Sequence, residues 1–359
     1  MVFLDGSKNM KSRHKNDKKT ATLTATFTAF ALITYALLCC GCVQTVRTTT
    51  RIEWPAAYDS PEDLVPEATR IVREGLADPE PAIRVNAIEV VARTRQTMLI
   101  PKVQRLLKDN FVPVRFAATL AIGDLQYSLG KDTLRQLLQD NNENVRIAAL
   151  YALARLGSTE SLQQLRRALT STDQTVRANA ALLLGKTGDT SDLTRQALWW
   201  TLRRPESGDM VRFQTAESLA RLGDERIYPK LWTMLISKYA DDRVMGIKAM
   251  GELKTPQAKD ALVTMLDDSV VEVRLAAAEQ LGALKDPVGE QVVLDVFKKN
   301  LDAGLDPQSL ERLNIRIVMA IGQIGTPALK KYLPRFLKDD SKTVRIAAAM
   351  AVLQTAKNN

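Results

Sequence analysis

The stretch DNNENVRIAALYALARLG, Asp140 to Gly157, decides the fold, because close copies of it recur along most of the chain at a fixed spacing. With Arg146 as the origin, Arg84, Arg115, Arg146 and Arg177 follow at intervals of 31, and Arg212, Arg243 and Arg274 follow at 35, 31 and 31. A longer interval of 40 leads to Asn314 and another 31 to Arg345, which makes nine repeats. A period of this length specifies an array of stacked units, not one globular core.

One residue after each marker stand Val85, Phe116, Ile147, Ala178, Phe213, Val244, Leu275, Ile315 and Ile346. Seven after it stand Val91, Ile122, Leu153, Leu184, Leu219, Met250, Leu281, Ile321 and Val352. Together with a mostly apolar position four after the marker, these form a stripe on one face of a helix. Ala87, Ala118, Ala149, Ala180, Ala277 and Ala348, three after it, are small enough for another helix to approach closely. Leucines eight before the marker, as in LRQLLQD, close a preceding helix, so each repeat is a helical hairpin.

The marker arginine falls in the first turn of the second helix, where unpaired N–H groups already disfavour a cation. An anion should answer it. Six residues earlier stand Asp78, Asp109, Asp140, Glu206, Asp268 and Asp339, with Ser171, Ser237 and Gln308 in the other repeats. The pairs Asp78/Arg84, Asp109/Arg115, Asp140/Arg146, Asp268/Arg274 and Asp339/Arg345 therefore read as turn locks repeated into a ladder. A partly exposed pair contributes only about 1 kcal/mol, so its main effect is to fix the angle between hairpins.

The Leu-Leu-x-Asp ending of the first helix, the Val-Arg opening of the second, the Ala-rich body and the Leu-Gly ending at Leu156-Gly157 and Leu281-Gly282 resemble the HEAT repeat family. They resemble in particular the short bacterial type called phycobilisome-lyase HEAT-like repeats. The resemblance covers residues 62 to 359 and implies an all-α, right-handed α-solenoid of about nine hairpins, armadillo-like in its helical stacking. Such arrays serve mainly as scaffolds and only occasionally as enzymes, so the resemblance specifies fold and leaves activity open. Helices about 10 Å apart would string nine hairpins into an arc on the order of 90 Å long.

The chain's net charge of +9 suggests nucleic acid until it is divided. Residues 1–42 hold six Lys/Arg against two Asp/Glu, which leaves 44 cations against 39 acids, a net +5, for the rest. That is mild for a polyanion binder, so nucleic acid is not the expected partner.

The amino terminus is basic, then apolar and Thr-rich from Thr20 to Leu38, then Cys39-Cys40-Gly41-Cys42, the order of an export signal. Met10 is an alternative start. The segment 1–42 resembles a bacterial lipoprotein signal with cleavage between Gly41 and Cys42 and lipid attached to Cys42; Cys39 stands where that pattern has Leu. A retained signal anchor is the alternative, since about 20 apolar residues span a bilayer. Val43 follows the cysteine in place of the Asp that retains enterobacterial lipoproteins at the inner membrane, which by resemblance implies the outer membrane of a two-membrane cell. Residues 43–61, with Thr48-Thr49-Thr50, Trp54 and Pro55, read as a polar tether, and 62–359 as the solenoid. All three cysteines precede the tether, so the exported body has no disulfide and no thiol chemistry.

Two irregularities interrupt the array. The 35-residue spacing carries Trp199 and Trp200, about 100° apart on a helix: either one is buried and the other lies over the neighbouring hairpin, or one is an anchor for a partner. The 40-residue spacing, around KKNLDAGLDPQSLER, lengthens a hairpin or adds a turn beginning at Asp306-Pro307, and Arg316 is placed to substitute for the missing marker arginine. Met350 and Val352, on the last helix, are candidates for a self-association surface, because solenoid ends need covering.

No catalytic constellation, phosphate loop or metal site is legible. The single histidine, His14, lies in the signal segment, which excludes the His-Glu iron site of deoxyhypusine hydroxylase and Ser-His-Asp triads. The paired acids Asp241-Asp242 and Asp267-Asp268 fit helix ends. A row nine after the marker, Arg93, Asp124, Arg155, Lys186, Arg221, Glu252, Ala283, Gln323 and Gln354, lies away from the apolar stripe, with four of its first five members basic. It is either a solvated face or a positive groove that takes an acidic protein segment. The expectation is a membrane-tethered, non-enzymatic scaffold for protein partners in the bacterial cell envelope. It needs no cofactor and no small-molecule substrate, and Arg93, Arg155, Lys186, Arg221 and Trp199 are its candidate contacts. A phycobilin-lyase-like or chaperone-like factor acting on a cofactor protein is the alternative.

Overall fold

The computed structural model describes residues 61–357. The signal segment 1–42 with Met10, His14 and the lipid-acceptor Cys42, and the tether with Trp54, lie outside the described residues. Those described form nine helical hairpins and no strand. The first helices of the hairpins are α1 (Val65–Gly75), α3 (Ile100–Arg105), α5 (Lys131–Leu137), α7 (Thr159–Arg167), α9 (Asp192–Arg203), α11 (Tyr228–Leu235), α13 (Pro256–Thr264), α15 (Glu290–Lys298), and the short pair α17 (Pro327–Lys330) and α18 (Leu333–Leu337). The second helices are α2 (Pro81–Thr94), α4 (Val112–Asp124), α6 (Glu143–Arg155), α8 (Gln174–Thr187), α10 (Asp209–Arg221), α12 (Ala240–Leu253), α14 (Val271–Ala283), α16 (Pro307–Ile324) and α19 (Lys342–Thr355).

Each second helix packs on the next, α2 on α4, α4 on α6 and onward to α16 on α19, whereas the first helices touch chiefly second helices. The second helices therefore lie at the smaller radius. Their stripe is the core: the residues seven after the marker are all buried, and Ala87, Ala118, Ala149, Ala180, Ala277 and Ala348 have no exposed surface. Each large aliphatic group buried this way contributes roughly 2 kcal/mol. Contact between second helices is close enough to need glycine. A Cβ on Gly185 would stand 2.8 Å from Ser218 Cα, and one on Gly123 would stand 2.8 Å from Ala152 Cα.

The array does not end as an open arc. Helix α19 packs against both α1 and α2, so the ninth hairpin meets the first. Ile346 lies against Gly75, where an added Cβ would come within 3.0 Å of its Cδ1, and Lys342 Nζ bonds Asp78 Oδ2 at 2.8 Å. Met350 and Val352 are buried within the chain, which removes them as a self-association surface. Nine inner helices spaced about 9 Å apart close on a circle of roughly 26 Å diameter, with an average turn of about 40° per hairpin.

The ladder exists, with its pairing displaced by one hairpin. Arg115 Nη1 bonds the carbonyl oxygens of its own turn, Asp109 at 2.9 Å and Asn110 at 3.2 Å. Its Nε and Nη2 grip Asp140 of the following hairpin at 2.9 and 3.0 Å. Arg84 with Asp109 and Arg243 with Asp268 repeat this bidentate rung, and Asn314 makes a neutral version, Nδ2 to Asp339 Oδ2 at 3.2 Å. Asp78, Asp109, Asp140, Asp268 and Asp339 thus offer their own arginines, Arg84, Arg115, Arg146, Arg274 and Arg345, a backbone carbonyl, not a carboxylate. The carboxylate is occupied within its turn by an N–H two residues on, as in Asn142 N to Asp140 Oδ1. It reaches outward only to the preceding hairpin. At the closure Lys342 of the ninth hairpin fills the rung at Asp78.

Both irregularities are absorbed locally. The longer turn of the fifth hairpin is stitched to the fourth by Gln174, whose Nε2 donates to Glu206 O at 2.7 Å while its Oε1 accepts from Gly208 N at 3.0 Å. In the eighth hairpin α16 starts early, at Asp306-Pro307, with Asp306 capping Gln308 and Ser309. Arg316 does not substitute for the missing marker; it approaches Glu279 at 3.9 Å.

Burial opposes ionisation of Asp140 and Asp268, but the arginine bonds, the turn N–H and the arginine charges outweigh it and hold both carboxyls below the ordinary range. A depressed folded pKa adds stability above the unfolded value, about 3.9, and that stability disappears as pH falls through the lower folded value. Asp140→Asn with Asp268→Asn should therefore flatten the loss of stability below about pH 4, read from urea midpoints across pH, and should cost about 2 kcal/mol per site at pH 7. Ile346→Asp, which buries a carboxylate in the closing seam, should cost about 3 kcal/mol and raise the radius of gyration in small-angle scattering; an unchanged radius in the folded variant would contradict closure.

Candidate functional site

The row nine residues after the marker faces inward, and its cations are engaged. Lys186 Nζ reaches Asp124 at 2.8 Å, two hairpins away. Tyr151, on the helix between them, donates its hydroxyl to the same carboxylate and lies under Lys186 with 5.9 Å from Nζ to the ring centre. Burial, then the charge of Asp124 and this bond, push the Tyr151 hydroxyl well above its ordinary pKa, so it stays protonated as a donor. Arg221 Nη2 bonds Glu217 at 2.7 Å and Glu252 at 2.6 Å, and Lys248 approaches the fully buried Glu217 at 3.3 Å. Burial opposes the charge on Glu252, yet the Arg221 bond and charge hold its carboxyl low.

Arg93 pairs with Glu89 at 3.4 Å, and Arg155 donates to the Thr187 carbonyl at 3.3 Å. The expected positive groove is thus a paired network of alternating sign. The spacing showed the cations but not that inward convergence would bring the acids of neighbouring helices, Glu217 among them, onto the same cations.

Trp199 is likewise committed: its Nε1 donates to Asp224 at 2.8 Å, and Arg203 and Arg226 lie 5.0 and 5.6 Å from its ring centre. It fastens the fifth hairpin to the sixth. The outward aromatic is Trp200, 50% exposed, with Arg204 4.3 Å from its ring centre. On the sixth hairpin Trp232, Ile236 and Tyr239 are 37, 63 and 42% exposed. Tyr228, Trp232 and Ile236 follow at four-residue steps around α11, whose other face buries Leu231 and Leu235. That second stripe lies in the first helices, outside the marker register, and its signal in the sequence is the four-residue spacing of Tyr228, Trp232 and Ile236. Exposed aromatic and aliphatic side chains of this kind mark protein interfaces.

A second feature lies between hairpins three and four, an open groove of about 650 Å³ lined by Leu138, Gln139, Glu143, Arg146, Ile147, Leu150, Gln164, Arg167, Ala168, Thr170 and Ser171. Ser171 stands there where the ladder has Asp. It keeps the turn's internal bond, accepting from Asp173 N at 3.2 Å, but presents no carboxylate to Arg146. Among the described residues no group of three His, Cys, Asp or Glu side chains is placed to hold a metal ion, and no helix is long and apolar enough to cross a membrane.

A family model described as HEAT repeats matches residues 69–140, 131–199 and 237–308, breaking off around the irregular fifth hairpin. No curated protein sequence matches the chain. Among solved structures, the complex of CpcE and CpcF of phycocyanin lyase from Nostoc sp. PCC7120 is similar at 19% identity and a TM-score of 0.41, over 71% of this chain and 94% of that one. Human deoxyhypusine hydroxylase aligns at 18% identity and a TM-score of 0.37, over 83% of this chain and 100% of that one. Importin beta aligns at 14% identity and a TM-score of 0.34, over 80% of this chain and 46% of that one. These likenesses concern the stacked-hairpin fold alone.

The inner network sets a contrast between two charge reversals. Arg221→Glu places a third acid beside Glu217 and Glu252 and should destabilise by about 3–5 kcal/mol, whereas Arg93→Glu, on a half-exposed side chain, should cost less than about 1 kcal/mol. Thermal melts of the two variants check this, and equal melting temperatures would show that the inner pairs carry no stability.

Proposed function

We propose, for a chain that belongs to the HEAT-repeat family, that it is a lipid-anchored, non-enzymatic scaffold that holds protein partners in the bacterial cell envelope. The observation that carries the scaffold reading is the exposure of Trp200 on the fifth hairpin and of Trp232, Ile236 and Tyr239 on the sixth, while comparable side chains elsewhere are buried. Large aromatic groups at this exposure are costly to leave in water and serve as anchors in interfaces. The anchoring rests on the sequence order of basic segment, apolar run and Gly41-Cys42, with residues 43–61 as the tether. Several acyl chains on Cys42 would give stable attachment where one chain binds only marginally. Val43 after the cysteine favours the outer membrane, with the ring in the periplasm or at the cell surface.

Mass spectrometry of the mature protein tests the anchor: the amino terminus should be an acylated Cys42, and an unacylated chain starting at Met1 or Met10 would overturn it. Pull-down tests the surface. Trp200→Ala with Trp232→Ala should remove, by at least tenfold, a partner retained by the wild type, with helical content and melting temperature unchanged; undiminished capture would move the interface elsewhere.

A further inference from the structure

We infer that the groove between hairpins three and four is a binding site for an acidic peptide segment, whose Asp or Glu carboxylate takes the ladder position that Ser171 leaves without one. The argument starts from the rungs that are complete. In Arg84, Arg115 and Arg243 one nitrogen, Nη1, is fixed on the carbonyls of the residue's own turn, and the opposite edge, Nε with Nη2, closes on a carboxylate at 2.7–3.0 Å. Arg146 is fixed in the same way, Nη1 to Asp140 O at 2.8 Å and to Asn141 O at 3.3 Å. Its Nε and Nη2 edge makes no hydrogen bond to any described residue, and Arg146 lines the groove.

The guanidinium is therefore held ready for a planar, two-oxygen acceptor, and a ligand pays no ordering cost for it. Arg167, exposed and without a carboxylate partner, stands on the facing wall and adds a second cation, against the single acid Glu143. Leu138, Ile147, Leu150 and Ala168 supply an apolar floor beside the charged edge. A carboxylate next to an aliphatic side chain matches both halves. Other rungs also lack a carboxylate: Arg177 Nη2 is taken by Glu206 O, Arg212 Nη2 by Pro205 O, and Arg274, followed by Gln308 in the ladder register, bonds only Asp268 O through Nη1 among the described residues. Arg146 combines the unoccupied edge with the large groove.

That the occupant is a protein rests on the scaffold reading above; the site itself depends neither on the lipid anchor nor on the aromatic surface. The probe is a fluorescein-labelled nonapeptide alternating aspartate and leucine, titrated against the full chain and followed by anisotropy. Binding should weaken at least tenfold in Arg146→Gln. It should weaken as much in Ser171→Asp, which supplies the missing rung from within and should also raise the melting temperature. Arg135→Gln, an exposed cation outside the groove, should leave it unchanged. Absence of binding to the wild type, or wild-type binding by Ser171→Asp, overturns the site. Inorganic phosphate that displaces the peptide far better than chloride at equal ionic strength would assign the edge to a phosphate and overturn the peptide. A failed anchor or pull-down test leaves these readouts untouched, so the two readings fail separately.

Discussion

The structure depends on one guanidinium used in two directions. Arg84, Arg115 and Arg243 each grip a carbonyl that closes their own turn, which offsets the poor placement of a cation at a helix start, and with the remaining edge each reaches the aspartate of the next hairpin's turn. A lock confined to one turn would fix the hairpin and leave the joint between hairpins to apolar packing, which tolerates a range of angles. Spanning the joint with two parallel bonds to a carboxylate restricts that angle. In the fourth joint, where the spacing is also irregular, the bidentate bond is replaced by a backbone carbonyl at Glu206, and in the eighth by the amide of Asn314.

Small angles repeated nine times become architecture. The alanines and glycines of the inner helices permit close approach on the inside, while the first helices keep bulkier side chains at the larger radius. Convergence on the inner face brings ionic side chains two hairpins apart into contact, as Asp124 and Lys186 show. The inner surface is accordingly a lattice of charges paired with alternating sign, within which Glu217 Oε2 and Arg221 Nη1 are buried without a hydrogen-bond partner.

The hairpins, their boundaries and the buried stripe were legible because a periodic pattern reports local geometry directly. Trp199 and Trp200 could be separated only by seeing Asp224 arrive from the next hairpin to claim one of them. The ladder's residues were legible and its pairing was not, because Asp140 is six residues from Arg146 and 25 from Arg115, and sequence proximity favours the wrong partner. Closure was invisible for a related reason: no single repeat encodes it. It follows from the sum of all the joint angles, and its local traces are Lys342, which substitutes for an arginine at the rung to Asp78, and Gly75, which admits Ile346.

A linear stack melts from its extremities, since a terminal unit has one neighbour and the lowest opening free energy. A circular one has no such unit. Every hairpin here, the first and ninth included, must break contacts on two sides before it can open, so the cheapest local excursion is raised toward the global one. Slow amide exchange would then extend around the whole circuit in place of a gradient from middle to ends. Duplication or loss of a hairpin, which open stacks absorb as a change in length, would here leave a gap or an overlap, so the repeat number is bound to the curvature.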